Sequence, residues 1–200
     1  MVKSLPRKPE YDRDELIDRA RDLFWKQGWA GTSLKDLENV LKLKPGSFYA
    51  AFGSKDALFA LAMDRYVADG ARRIQRLVAE HGPLGALQAF PFKVISRIDA
   101  PAKACMLSKT VLEMSGRNHE LAGVANRHLQ TMEAHFAQAF TDAQALGEIA
   151  AVHDPQTLAR RYQSDLMGLR ISAERDGVDA HAIAQEIADS LGRLAPTAGT

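Results

Sequence analysis

Apolar residues recur every three or four positions along nearly the whole chain, the spacing that is typical of amphipathic helices. The first helix is predicted over 13–27, with Asp12 as its N-cap, Glu15 completing a capping box and Gly28 ending it. No segment shows a convincing strand pattern, and no internal repeat is evident. The pattern therefore predicts an all-α protein of about nine helices.

Caps, glycines and prolines set the boundaries of the other helices. Pro45 suits the first turn of a short third helix, because its missing N–H costs nothing there. Pro91 lies inside the predicted fifth helix, where it predicts a kink or a break. Helix two is predicted to start at 34 and to run for about two turns. Helices three to nine are predicted, in order, over about 45–52, 54–80, 84–98, 102–115, 120–146, 155–176 and 179–193.

Composition narrows the class of protein. The chain has 200 residues, of which 46% are hydrophobic and 26% charged, as in ordinary soluble proteins. A single cysteine excludes a disulfide framework and a multi-cysteine metal site. No apolar run approaches the roughly 18–20 residues of a membrane span, and the first ten residues lack the apolar core of a signal peptide. These features predict a cytoplasmic protein that makes no membrane contact.

Charge divides the chain into two parts. Residues 1–56 carry eleven Lys or Arg and nine Asp or Glu, for a net charge of +2, whereas residues 57–200 carry fifteen and sixteen, for −1. Between Asn39 and Lys55 there is no acid at all. We therefore expect a locally basic N-terminal domain over 1–56 and a longer C-terminal domain over 57–200.

The second and third helices have the arrangement of a helix-turn-helix, two short helices set against a longer one. The second of them would enter a major groove about 12 Å wide, and its acid-free surface would not repel phosphate. Spacing alone leaves open a small helical subdomain with solvated lysines. The candidate DNA contacts supply hydroxyls, a close backbone approach or positive charge: Thr32, Ser33, Lys44, Gly46, Ser47, Tyr49 and Lys55.

The residues of this segment resemble the TetR family of bacterial regulators. The chain reads Gly-Thr-Ser-Leu-Lys-Asp-Leu from Gly31, and then Pro-Gly-Ser-Phe-Tyr-Ala-Ala-Phe-Gly-Ser-Lys-Asp-Ala-Leu-Phe from Pro45. The spacing of Gly46, Tyr49, Phe52 and Lys55 in that run is close to the family's signature. The close resemblance covers about residues 12–66, and the remainder matches mainly in the number and order of its helices.

The resemblance implies a ligand-responsive repressor that binds a palindromic operator as a dimer and leaves it when a small molecule binds. Carried over position by position, the resemblance implies that Thr32 and Lys55 contact phosphates. It also adds Pro45 to the residues that meet the groove. Lys42 departs from the pattern, since the family often has glycine at that turn, and so do the short side chains of Ala50 and Ala51.

The resemblance also places an effector cavity among helices five to eight. Methionine and aromatic side chains suit varied apolar ligands, although each of them could instead simply fill the core. The candidate lining residues are Phe90, Phe92, Cys105, Met106, Met114, Met132, Phe136, Tyr162, Leu166 and Met167.

Reactive groups are few. Cys105 falls in the predicted first turn of helix six, near Lys103 and Lys109, a setting that would favour a thiolate and a sensor role; an inert packed cysteine is the alternative. His128 and His135 share a helical face, but polar or exposed histidines are favoured over a metal site. No pair of residues suggests catalysis, so we expect neither an enzyme nor a metal or cofactor.

Helices eight and nine are expected to form the homodimer as a four-helix bundle. The apolar stripes behind this prediction are Leu158, Tyr162, Leu166 and Leu169 on one helix, and Ile183, Ile187 and Leu191 on the next. A small all-helical enzyme and a helical adaptor without DNA binding are the alternative functions. Lys3, Arg7 and Lys8 form either a disordered tail or an arm that reaches a minor groove.

Overall fold

The computed structural model describes residues 12–97, 100–117 and 119–196, and within these ranges it contains helices and no strands. The all-α prediction is confirmed, and the helix count is close to the predicted nine; the predicted arm of Lys3, Arg7 and Lys8 lies outside the described residues. The helices are α1 (Arg13–Gln27), α2 (Leu34–Leu41), α3 (Pro45–Phe52), α4 (Lys55–Ile95), α5 (Met106–Met114), α6 (Glu120–Ala145), α7 (Pro155–Ser172) and α8 (Ala180–Gly192), with a 3-10 turn at Ser115–Arg117.

Helix α4 consists of two helical segments that meet at Gly82. That glycine has φ 73° and ψ 173°, a non-helical conformation that a side chain would strain. Pro83 then starts the second segment. The predicted fourth and fifth helices are therefore both present, joined without an intervening loop, and this accounts for eight helices rather than nine.

Of the kink or break predicted at Pro91, the break is not found. The backbone remains helical there, but Pro91 has no N–H to donate to the carbonyl of Leu87 one turn earlier. The hydroxyl of Tyr162, from α7, donates to that carbonyl instead, at 2.6 Å. Burial raises the pKa of Tyr162, which keeps its hydroxyl protonated as a donor. A long-range side-chain bond thus replaces the missing backbone bond.

Replacing Tyr162 by phenylalanine should lower the free energy of unfolding by roughly 1–3 kcal/mol, because it leaves a buried carbonyl unpaired. In a Pro91→Ala background the loss should shrink, since the new N–H of residue 91 lies within reach of the Leu87 carbonyl. A double-mutant cycle in urea measures the coupling. Equal losses in the two backgrounds would contradict this account.

The apolar core has two parts. One packs the second segment of α4 against α6, α7 and α8, and it takes up Tyr162, Leu166, Leu169, Ile187 and Leu191. The apolar stripes on which the predicted dimer interface rested are therefore largely buried in the core of the chain itself. Any subunit contact through α7 and α8 must use their outward faces.

The other part of the core joins α1, α2, α3 and the first segment of α4 to α5 and the start of α6. Met106 and Met114 of α5 are buried in it. The N-terminal helices consequently share one core with a helix that lies well beyond residue 56. A movement of α5 would therefore reach α1 directly.

Helix α5 starts later than predicted, at Met106 rather than near Ala102. The carboxylate of Glu174 accepts the backbone N–H groups of Lys103 and Ala104, at 2.6 and 2.8 Å. With these two N–H groups bonded to Glu174, Cys105 is the N-cap residue of α5 and not part of its first turn. Two other helices end earlier than predicted, α4 at Ile95 and α7 at Ser172.

None of the helices in the described ranges is long and apolar enough to cross a membrane.

Candidate nucleic-acid interface and adjoining cavity

Helix α3, here called the reader helix, buries one face and exposes the other. Phe48 and Phe52 are buried against the N-terminal core. The predicted groove residues on it are exposed, and an added Cβ at Gly46 would meet nothing within 4 Å. Lys44, which precedes the helix, is exposed too. The exposed reader residues are Pro45, Gly46, Ser47 and Tyr49.

Helix α2 begins with a complete capping box. The Ser33 hydroxyl accepts the N–H of Asp36 at 3.1 Å, and the Asp36 carboxylate accepts the N–H of Ser33 at 2.9 Å. The hydrogen bond from the Ser33 hydroxyl lowers the pKa of Asp36. Ser33 is exposed beside the reader helix, so its position fits a phosphate contact, although its hydroxyl is already engaged in the cap.

Thr32 does not present its side chain to solvent. It is fully buried, and its hydroxyl donates to the carbonyl of Gly28 at 2.7 Å. That hydrogen bond closes the turn between α1 and α2. The prediction that the Thr32 hydroxyl contacts a phosphate does not fit this geometry.

Lys55 opens α4 and lies on an aromatic ring. Its ammonium is 4.1 Å from the centroid of Trp29, whose indole N–H donates to Asp56 at 2.7 Å. Partial burial lowers the pKa of Lys55. We call α1, α2 and α3 together the reader unit. The ring of Trp29 and the stem of Lys55 hold a positive charge at the end of this unit, as a phosphate contact requires.

Helix α5 holds the end of α1 and the loop that follows it. The carboxylate of Glu113 accepts the N–H groups of Trp29 and Ala30, at 3.0 and 2.7 Å. The ammonium of Lys109 donates to the carbonyls of Trp25 and Lys26, at 2.7 and 3.2 Å. Positive charge at the C-terminal end of α1 is favourable because the last carbonyls there lack helical partners.

A cavity lies among α1, α4, α6 and α7, and about 70 Å³ of it is open to the centre of a water-sized sphere. Six of the predicted lining residues surround it, namely Phe90, Cys105, Met132, Phe136, Leu166 and Met167.

The other four predicted residues do not line this cavity. Phe92 lines a surface groove between α4 and α8, near the ring of His181. Met106 and Met114 fill the N-terminal core. Tyr162 packs between Phe136 and Phe140 and bonds to the Leu87 carbonyl. Each of them has a structural partner that periodicity could not identify.

Sequence reasoning missed the polar wall of the cavity. The signal was present, because Arg73 follows Tyr66 and Gly70 at the spacing that continues the inward face of α4. An arginine on that apolar face is unusual enough to suggest a polar function. The polar lining residues are Arg21, Tyr66, Asp69, Arg73, Arg97, Gln163 and Arg170.

Cys105 reaches the cavity without the predicted lysine neighbours. Its sulfur accepts a long hydrogen bond from the Tyr66 hydroxyl, at 3.5 Å. Lys103 donates instead to the carbonyls of Ile95 and Arg97, and Lys109 to those at the end of α1. Both ammonium groups are therefore bonded to backbone carbonyls, and the hydrogen bond that the thiol sulfur accepts comes from Tyr66.

No group of three or more His, Cys, Asp or Glu side chains in the described part of the chain could hold a metal ion. The Nε2 atom of His128 lies 2.9 Å from a carboxylate oxygen of Asp64 on α4.

Comparison with known proteins decides the family. Residues 16–62 match the model described as bacterial regulatory proteins, tetR family, and residues 83–185 match the tetracyclin repressor-like C-terminal domain. The HTH-type transcriptional repressor ComR of Escherichia coli is 31% identical over 97% of this chain and 93% of its own. This chain belongs to the TetR family. It is a DNA-binding transcriptional regulator and not an enzyme, so the alternative of a small helical enzyme is wrong.

Other relatives and solved structures match over most of their length. The uncharacterized HTH-type regulator YezE of Bacillus subtilis is 27% identical over 88% of this chain and 94% of its own. A TetR-family regulator from Cytophaga hutchinsonii superposes with a TM-score of 0.82 at 19% identity, over 93% of this chain and 96% of that chain. A cysteine mutant of CifR, solved with 26-base-pair operator DNA, gives 0.80 at 25%, covering 96% and 100%.

The departure from the TetR pattern at Lys42 has a structural cost. Lys42 ends α2 in the left-handed region, with φ 54° and ψ 38°. Among the described residues it is the only one other than glycine with a positive φ. A side chain in that region costs about 1 kcal/mol or more, so the turn is strained where TetR relatives often have glycine.

Replacing Lys55 by alanine or methionine should weaken binding to specific and non-specific DNA alike, because a phosphate contact carries no sequence information. The slope of log affinity against log salt should fall by about one per lysine removed. Methionine keeps the stem over Trp29 and so separates charge from packing. Fluorescence anisotropy over a salt series measures both quantities, with Lys93→Met, an exposed lysine far from the reader, as the control. Unchanged slopes would contradict the assignment.

Proposed function

We propose that this regulator is a repressor that binds a palindromic operator as a homodimer and leaves it when a small molecule occupies the cavity. Residues 1–56 would read DNA, and residues 57–200 would bind the effector and the second subunit. The names of two relatives, the repressors ComR and DhaR, support the sign of regulation. A regulator of this kind acts on the chromosome, which places it in the bacterial cytoplasm.

One observation carries the proposal: the first segment of α4 joins the reader helix to the cavity. Lys55 stands at its start beside the reader, and Tyr66, Gly70 and Arg73 line the cavity further along the same segment. A ligand that favours another position of this segment would move the reader with it. Differential affinity of the ligand for the two arrangements would supply the shift, typically about 1–3 kcal/mol of coupling.

A second connection runs through α1 and α5. Trp25 of α1 forms part of the cavity wall, and its indole N–H donates to the carbonyl of Ala104 at 2.7 Å. Glu113 and Lys109 then hold the end of α1 and the loop to α2. Because these contacts hold the end of α1 and the loop to α2, they favour a movement of the reader unit as a rigid body when the cavity changes.

The subunit contact is assigned to the outward faces of α7 and α8. Ile171 is 48% exposed there, and Gly168 is exposed one turn before it. A groove between the two helices carries both signs of charge, which suits a two-fold contact of the surface with its own copy. Its charged residues are Arg161, Asp165, Glu186 and Arg193.

The test is direct. Labelled duplexes that tile the DNA flanking the coding region are titrated with the full chain, with scrambled duplexes as the control. One tile should bind about a thousandfold or more tighter than scrambled DNA at physiological salt. Equal affinity for every duplex would overturn the proposal, because a repressor must bind its operator more tightly than other DNA.

A further inference from the structure

We propose that the cavity binds an organic anion, a molecule whose carboxylate or sulfonate meets Arg73 and Arg170 and whose apolar body lies against Phe90 and Phe136. The inference rests on the proposed role of this cavity as the effector site. It goes further by naming the chemical class of the ligand.

Arginines from separate parts of the chain converge on the cavity. Arg73 comes from α4, Arg97 from the segment after α4, and Arg170 from α7. The guanidinium carbons of Arg97 and Arg170 lie 5.4 and 5.6 Å from the ring centroid of Trp25. Burial, and then the charges of Arg97 and Arg170, lower the pKa of Arg73. The cations are thus close enough to repel one another in a partly desolvated space.

The carboxylate in the lining of the cavity is already paired. Asp69 is the one acid among the described residues that line the cavity. It accepts from Arg21 at 2.6 Å and also pairs with Arg72. The guanidinium of Arg73 makes no hydrogen bond or ion pair with any residue in the described ranges, and Arg170 uses its Nε on the carbonyl of Lys103 at 2.7 Å.

A carboxylate or sulfonate would relieve this repulsion and accept hydrogen bonds from N–H groups of Arg73 and Arg170 that have no acceptor among the described residues. Guanidinium groups present paired N–H donors that match carboxylate and sulfonate oxygens. A cationic ligand would add to the repulsion, and a neutral one would leave it uncompensated. The charge of the site therefore selects the sign of the ligand.

The apolar wall of the cavity calls for an apolar body. Phe90 and Phe136 meet edge to face at a centroid distance of 5.6 Å. Val94, Leu129 and Leu166 complete this wall. An inorganic anion would leave that surface unused, whereas an aryl or alkyl group would bury it and be stabilised by the removal of apolar area from water.

The experiment compares matched probes by isothermal titration calorimetry on the full chain. We use 4-phenylbutyrate, octanoate and indole-3-acetate, each beside its alcohol and its amine, with inorganic phosphate as a further probe. At least one carboxylate should bind about tenfold or more tighter than its alcohol, as a charge-assisted contact predicts, and its amine and phosphate should bind weakest. Failure of all three carboxylates to bind, or equal affinity for a carboxylate and its alcohol, would overturn the inference.

Arg73→Gln should remove about tenfold or more of the carboxylate affinity and leave that of the alcohol unchanged. Arg76→Gln is the matched control, because Arg76 is exposed on the same helix and lines only a neighbouring surface groove. Without ligand, Arg73→Gln should not lower the unfolding temperature, since glutamine is as good a helix former and the repulsion is removed. A lower unfolding temperature would reveal an internal partner and count against the inference.

The two proposals fail separately. Operator release by the alcohols or amines, without preference for the anion, would overturn this inference and leave the repressor function standing. Carboxylate binding that depends on Arg73 but never affects a bound operator would support the anion site and overturn ligand-controlled release.

Discussion

Tyr49→Ala is expected to weaken operator binding by roughly thirtyfold or more while the fold and the subunit association stay unchanged. A contact of this kind contributes roughly 1–3 kcal/mol, and a dimer on a palindrome loses two of them. Tyr49 is 49% exposed on the reader helix, and its ring meets Phe48 edge to face at 5.4 Å. Because half of the side chain is already in water, truncation costs little stability. Anisotropy with the operator duplex measures the loss, and thermal unfolding checks the fold.

Two variants make that result specific. Tyr49→Phe keeps the ring against Phe48 and removes only the hydroxyl, so it separates stacking and packing from hydrogen bonding. Leu112→Ala truncates another exposed apolar side chain, 77% accessible on α5, and should leave operator affinity unchanged. If Tyr49→Ala binds the operator as tightly as the unmodified chain, the reader helix is placed wrongly.

The reader unit was predictable because its determinants are local. Asp12 caps α1, Ser33 and Asp36 close a capping box on α2, and Pro45 stands in the first turn of α3, all within a few residues of the positions that they control. Such signals act through backbone groups that every helix end leaves unpaired. The family motif then added the function of α3, which the caps alone could not give.

The cavity was only partly predictable because it depends on which inward faces meet. Periodicity shows that Met106, Met114 and Met132 all face inward, but only Met132 borders empty space. The difference lies in what α5 packs against, a long-range fact. The same holds for Pro91, whose missing hydrogen bond is replaced by Tyr162 from a distant helix. A local rule predicted a kink or a break there, but a tertiary contact replaces the missing hydrogen bond and the helix continues.

Thr32 shows how a correct motif can mislead about a side chain. Its place at the start of α2 fits the family pattern, yet its hydroxyl is turned inward to the carbonyl of Gly28. The neighbouring Ser33 occupies the exposed cap position. Two adjacent residues of a chain can point one to the surface and the other to the interior. A motif match does not distinguish between them.

Gly168→Arg is expected to separate the subunits and, with them, to abolish tight operator binding. Gly168 is exposed on α7, and an added Cβ would meet nothing within 4 Å inside the chain. A glycine inside an exposed helix costs about 1 kcal/mol relative to alanine, so a close approach by a second copy would explain its presence. A long charged side chain on each subunit would then prevent that approach, raising the dimer dissociation constant by about a hundredfold or more, roughly 3 kcal/mol.

The control for this prediction is Gly123→Arg, an equal change at another exposed helical glycine, on α6. Both substitutions should hold or raise the unfolding temperature of the isolated chain, because both replace glycine by a better helix former. Only Gly168→Arg should yield monomers in sedimentation equilibrium, and only it should lose the operator, because one reader alone makes half of the contacts to a palindrome. A Gly168→Arg protein that remains a dimer at micromolar concentration would move the interface away from this face of α7. A monomer that still binds the operator tightly would show that a single subunit is sufficient for recognition.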